Sequence, residues 1–262
     1  MAANKTAPVN NFSSYVSREI IMSGAINTNS AVWVVLNPDG TMSPVPSQFK
    51  TENGKTVAVI KRMSNSFYTV VENKKAFADV AGHWAKDDIN TLASKMIISG
   101  LTETAYAPEN KITRAEFASL VVKALGLEPN AAKAFFNDVK PNEWYAGAVG
   151  AAVEAGIING YKDGTFRPNA KVSRQEVAAM IVQALKVAGQ DISGNAAETD
   201  ADLAQVTDKT TVASSAKSAV AAAVKSGIIK GNTGGEFAPN RNCTRAESAV
   251  MIRKMLTKAN FI

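Results

Sequence analysis

A four-residue signature occurs three times in this chain, each time ahead of an apolar helical stripe. It lies in KITRAEFASL (111–120), KVSRQEVAAM (171–180) and NCTRAESAVM (242–251), as a hydroxyl residue, Arg, a small or polar residue and Glu. The arginines stand at 114, 174 and 245, spacings of 60 and 71 residues. A second motif keeps the same step: MIISG ends at Gly100, GIING at Gly160 and GIIKG at Gly231. Two motifs in one register define a repeating unit, which constrains the fold more than any single residue does.

Each unit carries two helical patterns. In the first, Trp84, Ile89, Leu92 and Met96 map onto Trp144, Val149, Ala152 and Gly156, then onto Ser215, Val220, Ala223 and Gly227. In the second, Phe117, Leu120, Val121 and Ala124 form a stripe at i, i+3, i+4, i+7, repeated by Val177, Met180, Ile181 and Ala184 and by Ser248, Met251, Ile252 and Met255. A two-helix unit cannot bury such a stripe alone, so the units must pack on one another. This predicts one closed helical domain, with repeats at 76–130, 131–190 and 191–262.

FADVAGHWAKDDI (77–89) matches FNDVKPNEWYAGAV (136–149), while LTETAYAPEN, YKDGTFRPNA and NTGGEFAPNR each place an aromatic residue two positions before Pro. The third copy diverges most. It keeps Asp208, has Ser215 where the others have Trp84 and Trp144, and is preceded by VAGQDISGNAAETDADLAQ (187–205), whose polar composition reads as an inserted loop.

Residues 1–75 differ in kind. SAVWVVLNPDGTMSPVPSQF and ENGKTVAVIKRMSNSFYTVV alternate β-branched and polar residues around the hairpin signals NPDG (37–40) and NG (53–54). A small β-rich unit is expected, part of a larger β-domain or a spacer. The opening MAANKTAPVN lacks a basic-then-apolar signal pattern, and its abrupt start reads as a cut within a longer chain.

With 46% hydrophobic and 20% charged residues the chain has globular composition, and its net charge of +6 favours acidic partners. Its basic residues are spread along the chain rather than gathered in a stripe, which argues against nucleic acid. One histidine, His83, and one cysteine, Cys243, cannot build a His/Cys zinc cluster, and triad chemistry would rest on His83 alone. His83 is expected to pack or cap, and Cys243 to be an unpaired small residue. No apolar run approaches the roughly 20 residues that span a bilayer, so no membrane insertion is expected.

Thr113, Ser173 and Thr244 are predicted N-caps, with Glu116, Glu176 and Glu247 as the N3 partners of capping boxes. The arginines resist the same explanation, because a helix N-terminus already carries partial positive charge. Three cations set against that field need an anion. It could be an internal carboxylate, with Asp79, Asp138 and Asp208 as one candidate per repeat, or a ligand carboxylate or phosphate held by helix N–H groups and the guanidinium.

The pattern F-x-D-V…W-A, G-I-I-x-G, F-x-P and T-R-A-E resembles the S-layer homology (SLH) domain family, over about residues 76–262. The resemblance implies a mainly α fold, a pseudo-threefold bundle of three helical repeats, here preceded by the small β-sheet unit. It implies inter-repeat grooves that bind an anionic secondary cell-wall polymer, often ending in pyruvylated N-acetylmannosamine. Arg114, Arg174 and Arg245 would then pair with the pyruvate carboxylate, and Gly100, Gly160 and Gly231 would let the sugar approach the backbone. Trp84 and Trp144 would line the grooves and Asp79 and Asp138 would hydrogen-bond in them, with core packing and local capping as the alternatives. The implied role is non-catalytic anchoring of an extracellular, wall- or S-layer-associated protein, without a cofactor. The parent would be a glycan-degrading surface enzyme or a self-assembling S-layer protein. Met96, Gln175 and Ser215 depart from the pattern, and the groove relying on Ser215 is expected to be weakest.

Overall fold

The computed structural model describes residues 11–262 apart from 25, 29, 38 and 233. The opening decapeptide and Pro38 of the NPDG signal lie outside the described residues.

Six strands precede residue 76: β1 (Asn11–Ile21), β2 (Ala31–Leu36), β3 (Met42–Pro44), β4 (Ser47–Glu52), β5 (Lys55–Ser64) and β6 (Tyr68–Glu72). They form two antiparallel three-stranded sheets, ordered β1-β5-β4 and β3-β2-β6. Both hairpin signals sit where predicted. Leu36 faces Met42 across the first, and Glu52 faces Lys55 across the second, where Asn53 and Gly54 take φ of +50° and +74°. Two consecutive positive φ values match the strand twist, which is why Asn-Gly closes tight hairpins. Trp33, Val35, Val45, Ala58 and Ile60 form a core of their own between the sheets. Strand β1 was not anticipated, because NFSSYVSREII lacks the strong alternation of its neighbours.

This unit is docked on the helical part. The Tyr15 hydroxyl donates to Leu125 O at 2.7 Å, Ser47 N to Phe261 O at 2.9 Å, and Arg62 pairs with Glu128 at 2.8 Å.

Among the described residues seven α-helices follow: α1 (Lys86–Ser94), α2 (Arg114–Leu125), α3 (Ala146–Glu154), α4 (Arg174–Val187), α5 (Ala196–Leu203), α6 (Lys217–Lys225) and α7 (Arg245–Lys258). Each repeat contributes a shorter first helix (α1, α3, α6) and a longer second helix (α2, α4, α7). The second helices bury the predicted stripes; Leu120, half-buried, is the one position not fully inside. In the first helices Ile89 and Leu92, Val149 and Ala152, and Val220 and Ala223 are buried, whereas the tryptophans ahead of α1 and α3 are not. The predicted inserted loop instead contains α5. Its N-cap Asn195 accepts from Glu198 N while Glu198 returns to Asn195 N, a capping box in an alanine-rich segment that outweighed the polar composition.

Packing runs from each repeat to the next. Helix α2 packs on α3, α4 on α6 and α7 back on α1, while α2, α4 and α7 also touch one another. At the junction of these three, Ile112 N donates to Cys243 O, Val172 N to Ile112 O and Cys243 N to Val172 O, at 3.0–3.1 Å. Cys243 is therefore buried for its backbone position. Burial pushes its thiol up to about 12, so it stays protonated and inert.

The departure at Met96 has a visible consequence. Gly156 and Gly227 end the first helices at φ of +70°, and Met96 takes +60° in their place. A side chain there is strained where glycine is not.

Candidate functional site

The N-cap residues and N3 glutamates pair as predicted. Thr113 and Thr244 hydroxyls accept from Glu116 N and Glu247 N at 3.2 and 3.1 Å, and the carboxylates accept Thr113 N and Thr244 N in return. At Ser173 the carboxylate half is kept at 2.8 Å, while the hydroxyl donates to Glu176 at 2.6 Å.

The arginines reach out of their own repeat into the next. Arg114 donates through Nε to Phe166 O at 2.9 Å and pairs through Nη1 with Glu176 at 2.9 Å. Arg174 does the same with Phe237 O at 2.7 Å and Glu247 at 3.2 Å, and adds Nη2 to Lys230 O at 2.9 Å. Arg245 closes the series on repeat 1, donating to Tyr106 O at 2.9 Å and Ser99 O at 2.7 Å. Arg114 and Arg174 are each 5% exposed, whereas Arg245 is half-buried. The internal carboxylates that meet Arg114 and Arg174 are thus the capping-box glutamates of the following repeat, not the aspartates considered from sequence.

The helix starts are filled in the same way. Arg114 N and Ala115 N donate to Ala170 O and Pro168 O, Arg174 N and Gln175 N to Arg241 O and Pro239 O, and Arg245 N and Ala246 N to Asn110 O and Pro108 O. The orphan N–H groups of each second helix are satisfied by the next repeat's F-x-P loop, which leaves no cradle there for a ligand anion. A cation at N1 is then favourable, because neighbouring carbonyls and a carboxylate crowd the position.

The aspartates hold the other side of that loop. Asp79 accepts from Tyr106 N and Ala107 N, Asp138 from Phe166 N and Arg167 N, and Asp208 from Phe237 N and Ala238 N, at 2.7–3.1 Å. Ala107, Arg167 and Ala238 take φ of +55° to +59°, so each carboxylate fixes a strained turn. Each loop aromatic is pinned by its N–H from within its repeat and by its C=O from the repeat before. Gly100 and Gly160 are also required internally. A Cβ on Gly100 would lie 2.5 Å from the Phe77 ring and 2.6 Å from Ala105 O, and one on Gly160 2.8 Å from Phe136 Cδ1 and Thr165 O. Gly231 is looser, with Glu236 O at 2.9 Å.

The tryptophans behave differently. Trp84 and Trp144 are 65% and 67% exposed, so core packing does not hold them. Trp144 lines an open cleft of about 1580 Å³ together with Gly100, Ser99, Ser119 and Lys123. The structure therefore brings Gly100 and Trp144 to one groove, while Arg245 holds the Ser99 carbonyl from the junction of repeats 3 and 1 and does not line it. Trp84 stands apart, just ahead of α1 where α1 packs on α7, and stacks on His83 at 5.3 Å. His83 accepts Ala85 N and pairs with Glu109 at 2.9 Å, the capping role expected of it. Ser215 is exposed at the corresponding place, beside a segment where Gln175 accepts Ala213 N and donates to Asn240. Lys123 and Ser119 were not singled out from sequence. Both stand on α2 at positions the apolar stripe leaves free, which was the available signal.

The carboxylates that tie repeats together should make the fold acid-sensitive. Burial pushes Glu176 up, but Ser173, Tyr161 and Arg114 outweigh it and hold the group below the usual glutamate range. Burial is outweighed at Glu247 by Arg241, Thr244 N–H and Arg174, and at Asp79 by Tyr106 N–H, Ala107 N–H and Arg245. A carboxyl whose folded value lies below its unfolded value contributes stability above the unfolded value, about 4, and loses it as pH falls through the folded one. The melting temperature should be flat from neutrality to about pH 5 and fall steeply below about pH 4. Calorimetry across that range checks it, and Glu176→Gln should flatten the fall.

Repeated helix pairs whose junctions are filled by the next repeat define a tandem-repeat helical module. Residues 76–118, 135–178 and 207–249 each match the S-layer homology domain, and the chain belongs to that family in three tandem copies. Domains of this family anchor surface proteins to the cell wall and are themselves non-catalytic. The chain is 35% identical over 226 residues to an amylopullulanase of Thermoanaerobacterium thermosulfurigenes, covering 84% of this chain and 12% of that protein. It is 38% identical over 192 residues to exoglucanase XynX of Acetivibrio thermocellus, 73% of this chain and 17% of that one. It is 33% identical over 182 residues to the S-layer protein sap of Bacillus anthracis, 69% and 21%. The chain thus spans about a fifth or less of the length of these relatives. Among the described residues no helix is long and apolar enough to cross a membrane.

Proposed function

We propose that this chain is a non-catalytic wall anchor that binds a pyruvylated secondary cell-wall polysaccharide in its inter-repeat grooves. The observation that carries the reading is Trp144, left exposed across an open groove from Gly100. An aromatic face of that kind suits a sugar ring, and Lys123 on the same groove supplies positive charge for a carboxylate, with Arg245 holding the Ser99 carbonyl beside it. By the repeat relation Arg114 and Arg174 hold the corresponding positions for sites beside Gly160 and Gly231, with Asp79 and Asp138 fixing the loops. The ring of helix contacts supports a pseudo-threefold bundle, with domain limits at 76–130, 131–190 and 191–262. The groove at Ser215 lacks its aromatic and binds weakest. The module is extracellular, and the protein it anchors is either a glycan-degrading enzyme or a self-assembling S-layer protein, the two kinds named among its relatives.

Purified chain should sediment with wall sacculi and stay in solution when the secondary polymer has been stripped. Equal binding to bare peptidoglycan would sink the reading. Trp144→Ala should weaken sacculus binding by about tenfold, the loss of one aromatic contact, and leave the melting temperature unchanged because the side chain packs on little.

A further inference from the structure

The cleft beside Trp144 is not made by the repeats alone. Its far wall is the β-unit: Leu36 and Asn37 at the end of β2, Met42 and Ser43 on β3, and Phe67 ahead of β6. Of the eight large apolar side chains exposed among the described residues, five line this one cleft. Leu36, Met42 and Phe67 come from the β-unit, Leu101 from repeat 1 and Trp144 from repeat 2. Phe67 is the most exposed of all, at 86%. Apolar groups scattered singly over a surface need no explanation, but their gathering around one open cleft does.

The two walls hold a fixed relation. Arg62 of β5, 4% exposed, pairs with Glu128 just beyond α2, and Glu128 also accepts the Ser64 hydroxyl at 2.9 Å. Asn73 donates to Ala93 O and Ser94 O at the end of α1, both at 3.1 Å. Polar ties, with Arg62 the buried partner, thus join the β-unit to the helical part beside the cleft. Lys123 lines the cleft without an ion-pair partner among the described residues, and Lys75 lines it paired with the exposed Glu103.

We propose that the β-unit is the second wall of the polymer site, and that the cleft takes several consecutive sugars of an anionic polysaccharide rather than its end residue alone. This rests on the wall-anchor reading given above. The end sugar occupies the Gly100–Trp144 side, and the chain leading to it runs over the exposed apolar faces of Met42 and Phe67. A polysaccharide fits because pyranose rings offer apolar faces to such side chains while a carboxylate meets Lys123, the one cation of the lining with no ion-pair partner among the described residues; Arg62 and Lys75 are paired with Glu128 and Glu103, and Asp39 also lines the cleft. The cleft is the one that holds Gly100 and Trp144, so the β-unit and the candidate site share a single opening.

The test is calorimetric titration of the full chain with two probes, pyruvylated N-acetylmannosamine and polymer fragments of several repeating units released from walls. The double variant Met42→Ala, Phe67→Ala should bind the fragments about tenfold more weakly and the monosaccharide unchanged. Its melting temperature should not move, since both side chains are exposed. Unchanged fragment affinity would overturn the inference, as would an equal loss on both probes, which would make the β-unit part of the end-sugar site. Self-association relieved by the double variant would overturn it in favour of a second copy as the occupant. Failure of the unaltered chain to bind either probe would instead remove the wall-anchor reading, and this inference with it.

Discussion

Replacing Arg174 by Ala is expected to destabilise the helical domain by about 3–5 kcal/mol, the range for breaking a buried ion pair at one end. The guanidinium holds Phe237 O, Lys230 O and Glu247 across the junction from repeat 2 to repeat 3, and it is almost fully buried. Its loss leaves two carbonyls short of a donor and Glu247 with only Arg241 opposite. For a domain of this size each kcal/mol moves the melting temperature by about 2–4 °C, so a drop of roughly 6–20 °C is expected. Arg174→Lys should recover little, because one ammonium cannot reach three acceptors spread around a planar fork. Arg114→Ala should behave similarly. Arg245→Ala should fall less, since its guanidinium is half-exposed and bonds two carbonyls. Scanning calorimetry on the four variants decides it. A melting temperature unmoved by Arg174→Ala, with polymer binding lost, would restore a ligand-only role to this residue.

Gly100→Ala is expected to cost about 1–3 kcal/mol, the range for overpacking a well-filled site. The new methyl would press on the Phe77 ring and on the Thr102 and Ala105 carbonyls, and two of those three neighbours are backbone that cannot swing aside. Gly160→Ala meets the Phe136 ring in the same manner. Gly231→Ala should be milder, having only the backbone at Glu236 and Gly235 nearby at 2.9–3.3 Å. That gradient separates two accounts of the glycines. If they serve only the approach of a sugar, all three variants melt with the parent and differ in binding. If they serve the loop, melting temperatures fall in the order of the contacts.

The features legible in the sequence were local or periodic. Two motifs stepping by 60 and 71 residues announced the repeats, and Thr113 with Glu116 announced a helix start, because capping is decided within four residues. Asn53–Gly54 announced a hairpin for a similar reason. Helix α5 was readable in principle from Asn195 and Glu198, but the polar composition around them masked it. Partners across repeat junctions were not legible. Nothing local distinguishes Glu247 from Asp208 as the anion for Arg174, since one is 73 residues away and the other 34, and neither spacing carries a signal. The exposure of Trp84 and Trp144 was equally hidden, because an aromatic residue one turn before an apolar stripe belongs to either side of the surface.

By itself, the sequence determined that this chain is built of three two-helix repeats behind a small β-unit, and that each second helix starts with a hydroxyl, an arginine and a glutamate. Hydrogen-bond capping and helical periodicity suffice for that, being short-range and encoded residue by residue. Only the tertiary structure decided what the arginine does. Closing the repeats on one another puts the next repeat's carbonyls and carboxylate over each helix start, which turns an electrostatically poor position for a cation into a favourable one. The same closure left Trp144 uncovered and brought the β-unit opposite it, a juxtaposition of segments far apart in the chain that packing alone creates.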